Sequence, residues 1–272
     1  MATDRVPFED LPVGRRTALA QQLGPIVEIE NTLGGLNSDI AARIVTPQGA
    51  FHVKGLRTTH PRVWTQAREA AVAPILVEAA PQLRLRTVAD GWDLNVFESL
   101  DGGHHADYRP GSSDLPRVAA LLTRLTGLRP EGVELRHAEQ RLGSYAASPA
   151  DLDHFRGDHL CHTDLNDENV LVVGGRAWLV DWAWATRGSA WLDAAYWVIW
   201  LIASGRHTAL SAERQAAAIP AFRQAPPAAL TAFAAANANL WEEIDSDPAP
   251  WTTRVRVAAQ SWLMHRKALT AT

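Results

Sequence analysis

A chain of 272 residues, 47% hydrophobic and 21% charged, has the composition of an ordinary globular protein and is long enough for one large domain or two lobes, each with its own core. A formal net charge of −4, with no long lysine or arginine run, argues against a polyanionic partner such as nucleic acid. Cys161 is the only cysteine, which excludes an intramolecular disulfide and a cysteine-built zinc site and fits a reducing, cytoplasmic compartment.

The first sixteen residues carry Asp4, Glu9 and Asp10 and lack the apolar core of a secretory signal, so no export is expected. Residues 26–33, 39–45 and 50–56 alternate like strands and are separated by Gly34-Gly35 and by the turn at 46–49, which predicts a small antiparallel meander. Thr59 and Pro61 open a helical stretch over about 61–73, stopped or kinked by Pro74. Two more strands are expected around Asp90 and Gly91. Five strands and one helix then make a first lobe.

The polar, glycine-rich stretch 101–114 is the natural seam, and beyond it residues 115–128 and most of the chain after 188 are helical in pattern. The apolar run 194–203 is about half of the ~20 residues that span a bilayer, so it predicts a buried helix and no membrane association. Alanine-rich segments after residue 214 are good helix material broken by Pro220, Pro226 and Pro227. One strand pair interrupts the helices. Residues 169–182 read as a β-hairpin with Gly174-Gly175 as its two-residue turn, so that Val173 faces Arg176 and Asn169 faces Val180. Asn169 and Asp181 then share the open end, and Asp164, five residues before Asn169, lies in a loop that can fold over it. Hard oxygen ligands grouped in this way suit magnesium, which keeps waters and binds phosphate as well.

His162-Thr163-Asp164, then Asn169 after four intervening residues, then Asp181-Trp182-Ala183 twelve positions on, resembles the catalytic loop and metal-binding aspartate of the protein-kinase-like phosphotransferases. Trp182 and Ala183 in the tripeptide are closer to the aminoglycoside phosphotransferase and choline kinase branch than to protein kinases. The resemblance implies an α+β, two-lobed fold: a small antiparallel sheet lobe with one main helix over 1–98 that binds nucleotide, and a larger, mostly helical lobe over 99–272 that binds the acceptor. It implies that Asp164 is the catalytic base, that Asn169 and Asp181 hold Mg²⁺, and that His162 supports the loop. Lys54 would contact the phosphates of ATP, or of GTP, with Glu69 as its ion-pair partner. Phe97, Glu98 and Ser99 fall where a hinge would bind adenine, and Asp193 would brace the catalytic loop. No G-x-G-x-x-G is present, so the phosphate-covering loop would rely on Gly34, Gly35, Asn37 and Ser38.

Other features have plainer readings. His104-His105 beside Asp107 reads as a turn with solvated histidines, Trp191, Trp197 and Trp200 as core, and Cys161 as buried packing. Glu242, Glu243, Asp245 and Asp247 read as a solvated helix end, or as a rim that attracts a polycationic acceptor. The implied function is transfer of the γ-phosphate of ATP to a hydroxyl of a small molecule, with an aminoglycoside or related antibiotic ahead of choline, an amino alcohol, a sugar or a nucleoside. A metal-dependent phosphohydrolase and a nucleotide-binding pseudoenzyme are the alternatives outside that class. No obligate protein partner is expected.

Overall fold

The alternating segments of the first hundred residues pair into one antiparallel sheet. The computed structural model describes residues 5–32 and 38–270, and the chain divides into two compact units, Met1–Gly102 and Gly103–Thr272.

In the first unit the strands are β1 (Glu28–Asn31), β2 (Ile40–Thr46), β3 (Gly49–Arg57), β4 (Leu83–Ala89) and β5 (Trp92–Glu98), in the order β1-β2-β3-β5-β4. The period-two alternation assigns each residue to a face. Ile40, Ala42 and Ile44 of β2, Phe51 and Val53 of β3, and Trp92, Leu94 and Val96 of β5 form one buried cluster with Phe8, Leu11, Leu19 and Leu23. Burial of side chains this size stabilises by about 1.5–3 kcal/mol each. Leu19 and Leu23 belong to a helix that the sequence reading missed, α1 (Val13–Leu23), which follows Pro12 and ends at Gly24. Its buried stripe is only Arg15, Leu19 and Leu23, too narrow to register as a periodic pattern. The expected helix is α2 (Trp64–Val72), continued by a 3₁₀ turn over Ala73–Ile75 that contains Pro74.

The second unit holds α3 (Leu115–Leu125), α4 (Ala138–Arg141), β7 (His159–Cys161), β8 (Val170–Val173), β9 (Arg176–Leu179), β10 (Thr186–Gly188), α5 (Leu192–Ala203), α6 (Ala209–Ala216), α7 (Pro220–Gln224), α8 (Pro227–Ile244) and α9 (Pro250–Thr270). Before α3 comes β6 (His104–His105), which corrects the reading of these histidines as a turn: they pair antiparallel with Val172 and Leu171 and make the hairpin three-stranded. The hairpin has the expected register, Val173 opposite Arg176, with Gly174 and Gly175 at φ 57° and 77°. It is not the only pair in this unit, because β7 and β10 also join, Cys161 opposite Thr186. Phe233 on α8 is the centre of the core, with Phe155, Trp191, Tyr196 and Trp262 meeting it edge-to-face at centroid distances of 4.8–6.0 Å. Trp191 and Trp197 are buried as expected. Trp200 is not: it is half-buried and stacks edge-on against Trp241. Among the described residues no helix is long and apolar enough to cross a membrane.

One close approach constrains the sheet beside Lys54. A Cβ on Gly55 would lie 2.4 Å from the Asp93 carbonyl oxygen and 2.5 Å from Leu94 Cδ2, and a backbone oxygen cannot step aside without loosening the β3–β5 pair. Gly55→Ala should therefore destabilise the fold by about 1–3 kcal/mol, the usual range for overpacking. Urea unfolding checks this, and a midpoint equal to the parent's would show that the strands separate without cost.

Candidate active site

β3 and β5 place Lys54 directly opposite Asn95, on the face of the sheet opposite Val53 and the α1 side of the core. There Lys54 Nζ lies 2.8 Å from Glu69 Oε1 on α2, and both side chains are largely buried, at 11% and 4% exposure. A buried charge needs such a partner, since either one alone would carry an uncompensated desolvation cost. Asn95 Nδ2 donates to the Gln66 carbonyl at 3.0 Å, which fastens the turn of α2 that precedes Glu69 to β5. Lys54 Nζ also sits 5.9 Å from the Phe97 ring centroid.

The rest of the expected nucleotide site is less direct. Gly34, Gly35 and Asn37 lie outside the described residues, and Ser38 is buried just before β2. In the stretch expected as a hinge, Glu98 N–H donates to the Gln82 carbonyl and Ser99 N–H to the Ala50 carbonyl, which leaves neither donor for a base. The Glu98 carboxylate pairs with Arg84, and Ser99 Oγ donates to Asp101.

In the second unit the loop after β7 carries Asp164. Asp193, in the first turn of α5, accepts from His162 N–H and Thr163 N–H, both at 2.9 Å. The His162 ring bridges two segments: its Nε2–H donates to the Val180 carbonyl at 2.9 Å, and its Nδ1 accepts from Asp164 N–H at 3.2 Å. Trp182 packs edge-on against that ring at 4.7 Å and donates Nε1–H to the Leu179 carbonyl. Asn169 extends the hairpin, its carbonyl accepting from Val180 N–H at 2.9 Å, while its Nδ2 donates to the Asp164 carbonyl at 3.1 Å. The amide is thereby turned with Oδ1 left as its acceptor end. Asp181 follows Val180 in the left-handed region, at φ 63°. The structure thus brings Asp164, Asn169 and Asp181 together at the open end of the hairpin.

Asp164 is half-buried, and its pKa is pushed from the ordinary 3.8 up to about 6, first by burial and second by the charge of Asp181. Asp193 is likewise raised to about 6 by burial, opposed by the two N–H groups it accepts from and by Arg141. Burial also drives the Cys161 thiol well above its usual value, as expected of a packing residue rather than a nucleophile.

The acidic run divides. Asp245 accepts from Thr252 Oγ1, Thr253 Oγ1 and Arg256 Nε at 2.6–2.9 Å, so both of its oxygens serve to join α8 to α9. Glu243 accepts from Tyr145 OH at 2.9 Å, and Glu242 accepts from Gln260 at 2.6 Å. Asp247 is exposed. Among the described residues no group of three or more His, Cys, Asp or Glu side chains is arranged to hold a metal. His104 instead bonds Asp114 at 2.9 Å.

Several residues of the site carry no signal of their own in the sequence. Asn166 accepts from Asn169 N–H, capping the 3₁₀ turn Asp167–Asn169, and donates to Asp164 Oδ1 at 3.0 Å. An Asn three residues before the turn's end is the one hint available. Tyr108 OH donates to the Leu165 carbonyl at 3.1 Å, and Arg141 reaches Thr163 Oγ1 at 2.5 Å. Thr163 itself sits at φ 70°, where a β-branched residue is a true outlier costing about 1–3 kcal/mol.

No family model matches the chain, and no curated protein matches it. Solved structures do. Choline kinase LicA from Streptococcus pneumoniae, also solved in complex with AMP, superposes with a TM-score of 0.63 at 15% identity, over 92% of this chain and 98% of LicA. A choline/ethanolamine kinase family protein from Mesorhizobium loti gives a TM-score of 0.59 at 20% identity, over 95% and 94% of the two chains. The fold is that of the choline kinases and aminoglycoside phosphotransferases. A thermostable mutant of aminoglycoside phosphotransferase APH(4)-Ia, in ternary complex with ADP and hygromycin B, matches with a TM-score of 0.56 at 13% identity, over 92% of this chain and 99% of that one.

The raised pKa of Asp164 has a consequence for stability. A carboxyl that keeps its proton up to about pH 6 when folded, against 3.8 ordinarily, makes the folded state progressively less stable as the pH rises between those values. Asp164→Asn removes that loss. In metal-free buffer the variant should be more stable than the parent by about 1–3 kcal/mol at pH 7.5, an advantage that shrinks toward zero at pH 4. Thermal melts at both pH values test it, and a variant that melts no higher than the parent at pH 7.5 refutes the unfavourable burial.

Proposed function

We propose that the chain is an ATP-dependent phosphotransferase that moves the γ-phosphate to a hydroxyl of a small molecule. The observation that carries this reading is the meeting of Asp164, Asn169 and Asp181 at the hairpin mouth, on a loop fixed through His162 and Asp193. In the first unit Lys54, held by Glu69, offers an ammonium group suited to the α and β phosphates.

The hairpin mouth fits magnesium by the chemistry of its donors. Asp181 offers a carboxylate and Asn169 an amide oxygen. The repulsion between Asp164 and Asp181 is what a divalent cation relieves. Magnesium is usually held by one or two protein carboxylates together with waters and substrate phosphates, which is the donor set that Asp181 and Asn169 would begin. Bound there, the ion would neutralise phosphate charge as the γ-phosphoryl group transfers.

The remaining work falls to the protein. Asp164 accepts the proton of the acceptor hydroxyl and orients its oxygen in line with the γ-phosphorus. The new O–P bond forms as the bond to the bridging β–γ oxygen breaks, ADP leaves, and the proton remains on Asp164 until it is lost to solvent. For the acceptor we favour a cationic aminoglycoside or related antibiotic. With Asp245 spent on α9 and Glu242 paired with Arg256 and Gln260, the carboxylates left to attract it are Glu243 and Asp247.

Asp164→Ala should lower turnover by about 100-fold or more while leaving ATP affinity within about twofold, since a base on the acceptor acts in the transition state. Calorimetric ATP binding and ADP release are measured separately; a variant keeping more than about a tenth of parental turnover removes Asp164 from this role. Asp181→Asn keeps a residue that tolerates the left-handed backbone but deletes the charge. It should raise the magnesium concentration needed for half-maximal ADP release by about tenfold, and an unchanged requirement would place the metal elsewhere. Acceptor class is read from a screen of aminoglycosides, choline, sugars and nucleosides for ADP release above the acceptor-free rate.

A further inference from the structure

Residue 163 poses a problem that the proposed chemistry does not explain. Thr163 directly precedes Asp164 and adopts φ 70°, a conformation that glycine or asparagine takes far more readily than threonine. Such a residue stays there only if its surroundings hold it. Asp193 holds its N–H. The side chain is held by Arg141, the last residue of α4, whose Nη1 lies 2.5 Å from Thr163 Oγ1, 2.6 Å from Thr186 Oγ1 and 3.0 Å from the Trp184 carbonyl. Thr163 Oγ1 in turn donates to that carbonyl at 3.1 Å. One guanidinium therefore ties the loop that leads into Asp164 to the segment that follows Asp181, with its central carbon over the Trp184 ring, 5.6 Å from the centroid.

We propose that Arg141 is a positioning residue that aims Asp164 by pinning Thr163 in its left-handed conformation. Threonine serves here because its hydroxyl gives Arg141 something to grip; glycine would take the same backbone angle with no handle. Without Arg141, Thr163 relaxes toward negative φ, the peptide leading into Asp164 turns with it, and the carboxylate loses its line to the acceptor hydroxyl while nucleotide binding is untouched. The kinetic part of this inference rests on the phosphotransferase reading above; the conformational part does not.

The test compares the parent with Arg141→Met, Arg141→Lys, Thr163→Gly and the double variant Arg141→Met/Thr163→Gly. ADP release from magnesium–ATP is followed with water, choline and hygromycin B as acceptor probes. Arg141→Met should lower kcat at least about tenfold with KM for ATP within about twofold, and Arg141→Lys should fall between it and the parent. The decisive arm is the double variant: glycine adopts the left-handed angle unaided, so it should recover most of the kcat lost in Arg141→Met. A merely structural arginine predicts instead that the two losses compound. Melting curves establish that each variant is folded, and Arg141→Lys carries the comparison if Arg141→Met is not. Independently of turnover, a crystal structure of Arg141→Met, or of Arg141→Lys in that case, should show Thr163 at negative φ. Thr163 still near +70° in the arginine variant, kcat within twofold of the parent, or no rescue by glycine overturns the proposal. A parent that releases no ADP with any probe overturns the phosphotransferase reading, and the conformation of Thr163 in the variant still decides this one.

Discussion

Two consecutive peptide N–H groups, those of His162 and Thr163, share one buried carboxylate, Asp193, and the geometry of the second unit's polar site follows from that arrangement. Asp193 is fixed because α5 is buried along most of its length, so the packing of an apolar helix becomes the coordinate frame of a polar loop. From there the constraint passes through the His162 ring to Val180 on one side and Asp164 on the other. Burial raises the pKa of Asp193 to about 6, and the two N–H bonds it accepts, with the charge of Arg141, only partly offset that desolvation. Functional loops on rigid scaffolds are commonly made in this way, with stability given up locally and recovered from the core around them.

The first unit solves a related problem with a sheet. One face of β2, β3 and β5 packs on α1 and supplies the apolar core, and the period of two turns Lys54 to the other face, where a cation would be costly if α2 did not bring Glu69 to it. The tether from Asn95 to the Gln66 carbonyl makes the position of α2 a property of the sheet rather than of the ion pair alone.

Much of this architecture was legible in the chain. The hairpin register could be counted outward from Gly174-Gly175 because a two-residue turn between matched apolar runs leaves one choice, and the three oxygen-bearing residues singled out by spacing are those that meet at its mouth. What escaped reading depends on partners distant in sequence or on patterns too short to repeat. α1 buries two leucines; β6 is two residues long; β7 and β10 are three residues each, with residues 162–185 between them. Asp245 looked like one of four surface acids, and only the fold brings Arg256, eleven residues on, to its oxygens. The hinge stretch was placed by analogy, and the N–H groups of Glu98 and Ser99 turn out to be spent inside the sheet unit. Nothing about a threonine announces a left-handed backbone, and nothing about Arg141 announces three acceptors around one nitrogen.

Cys161 sits one residue before this loop, at the end of β7, opposite Thr186, with its Sγ 3.5 Å from the Ser189 carbonyl. It is the only thiol in the chain and it is closed to solvent. A thiol-specific label can therefore reach it only when β7 and β10 come apart, and burial keeps the closed form from reacting as a thiolate. The protein thus contains a built-in clock for the strand that leads into the Asp164 loop: with label in such excess that reaction outpaces reclosing, the rate at which the native chain consumes it is the rate at which that segment opens, reported without mutation, ligand or added probe site.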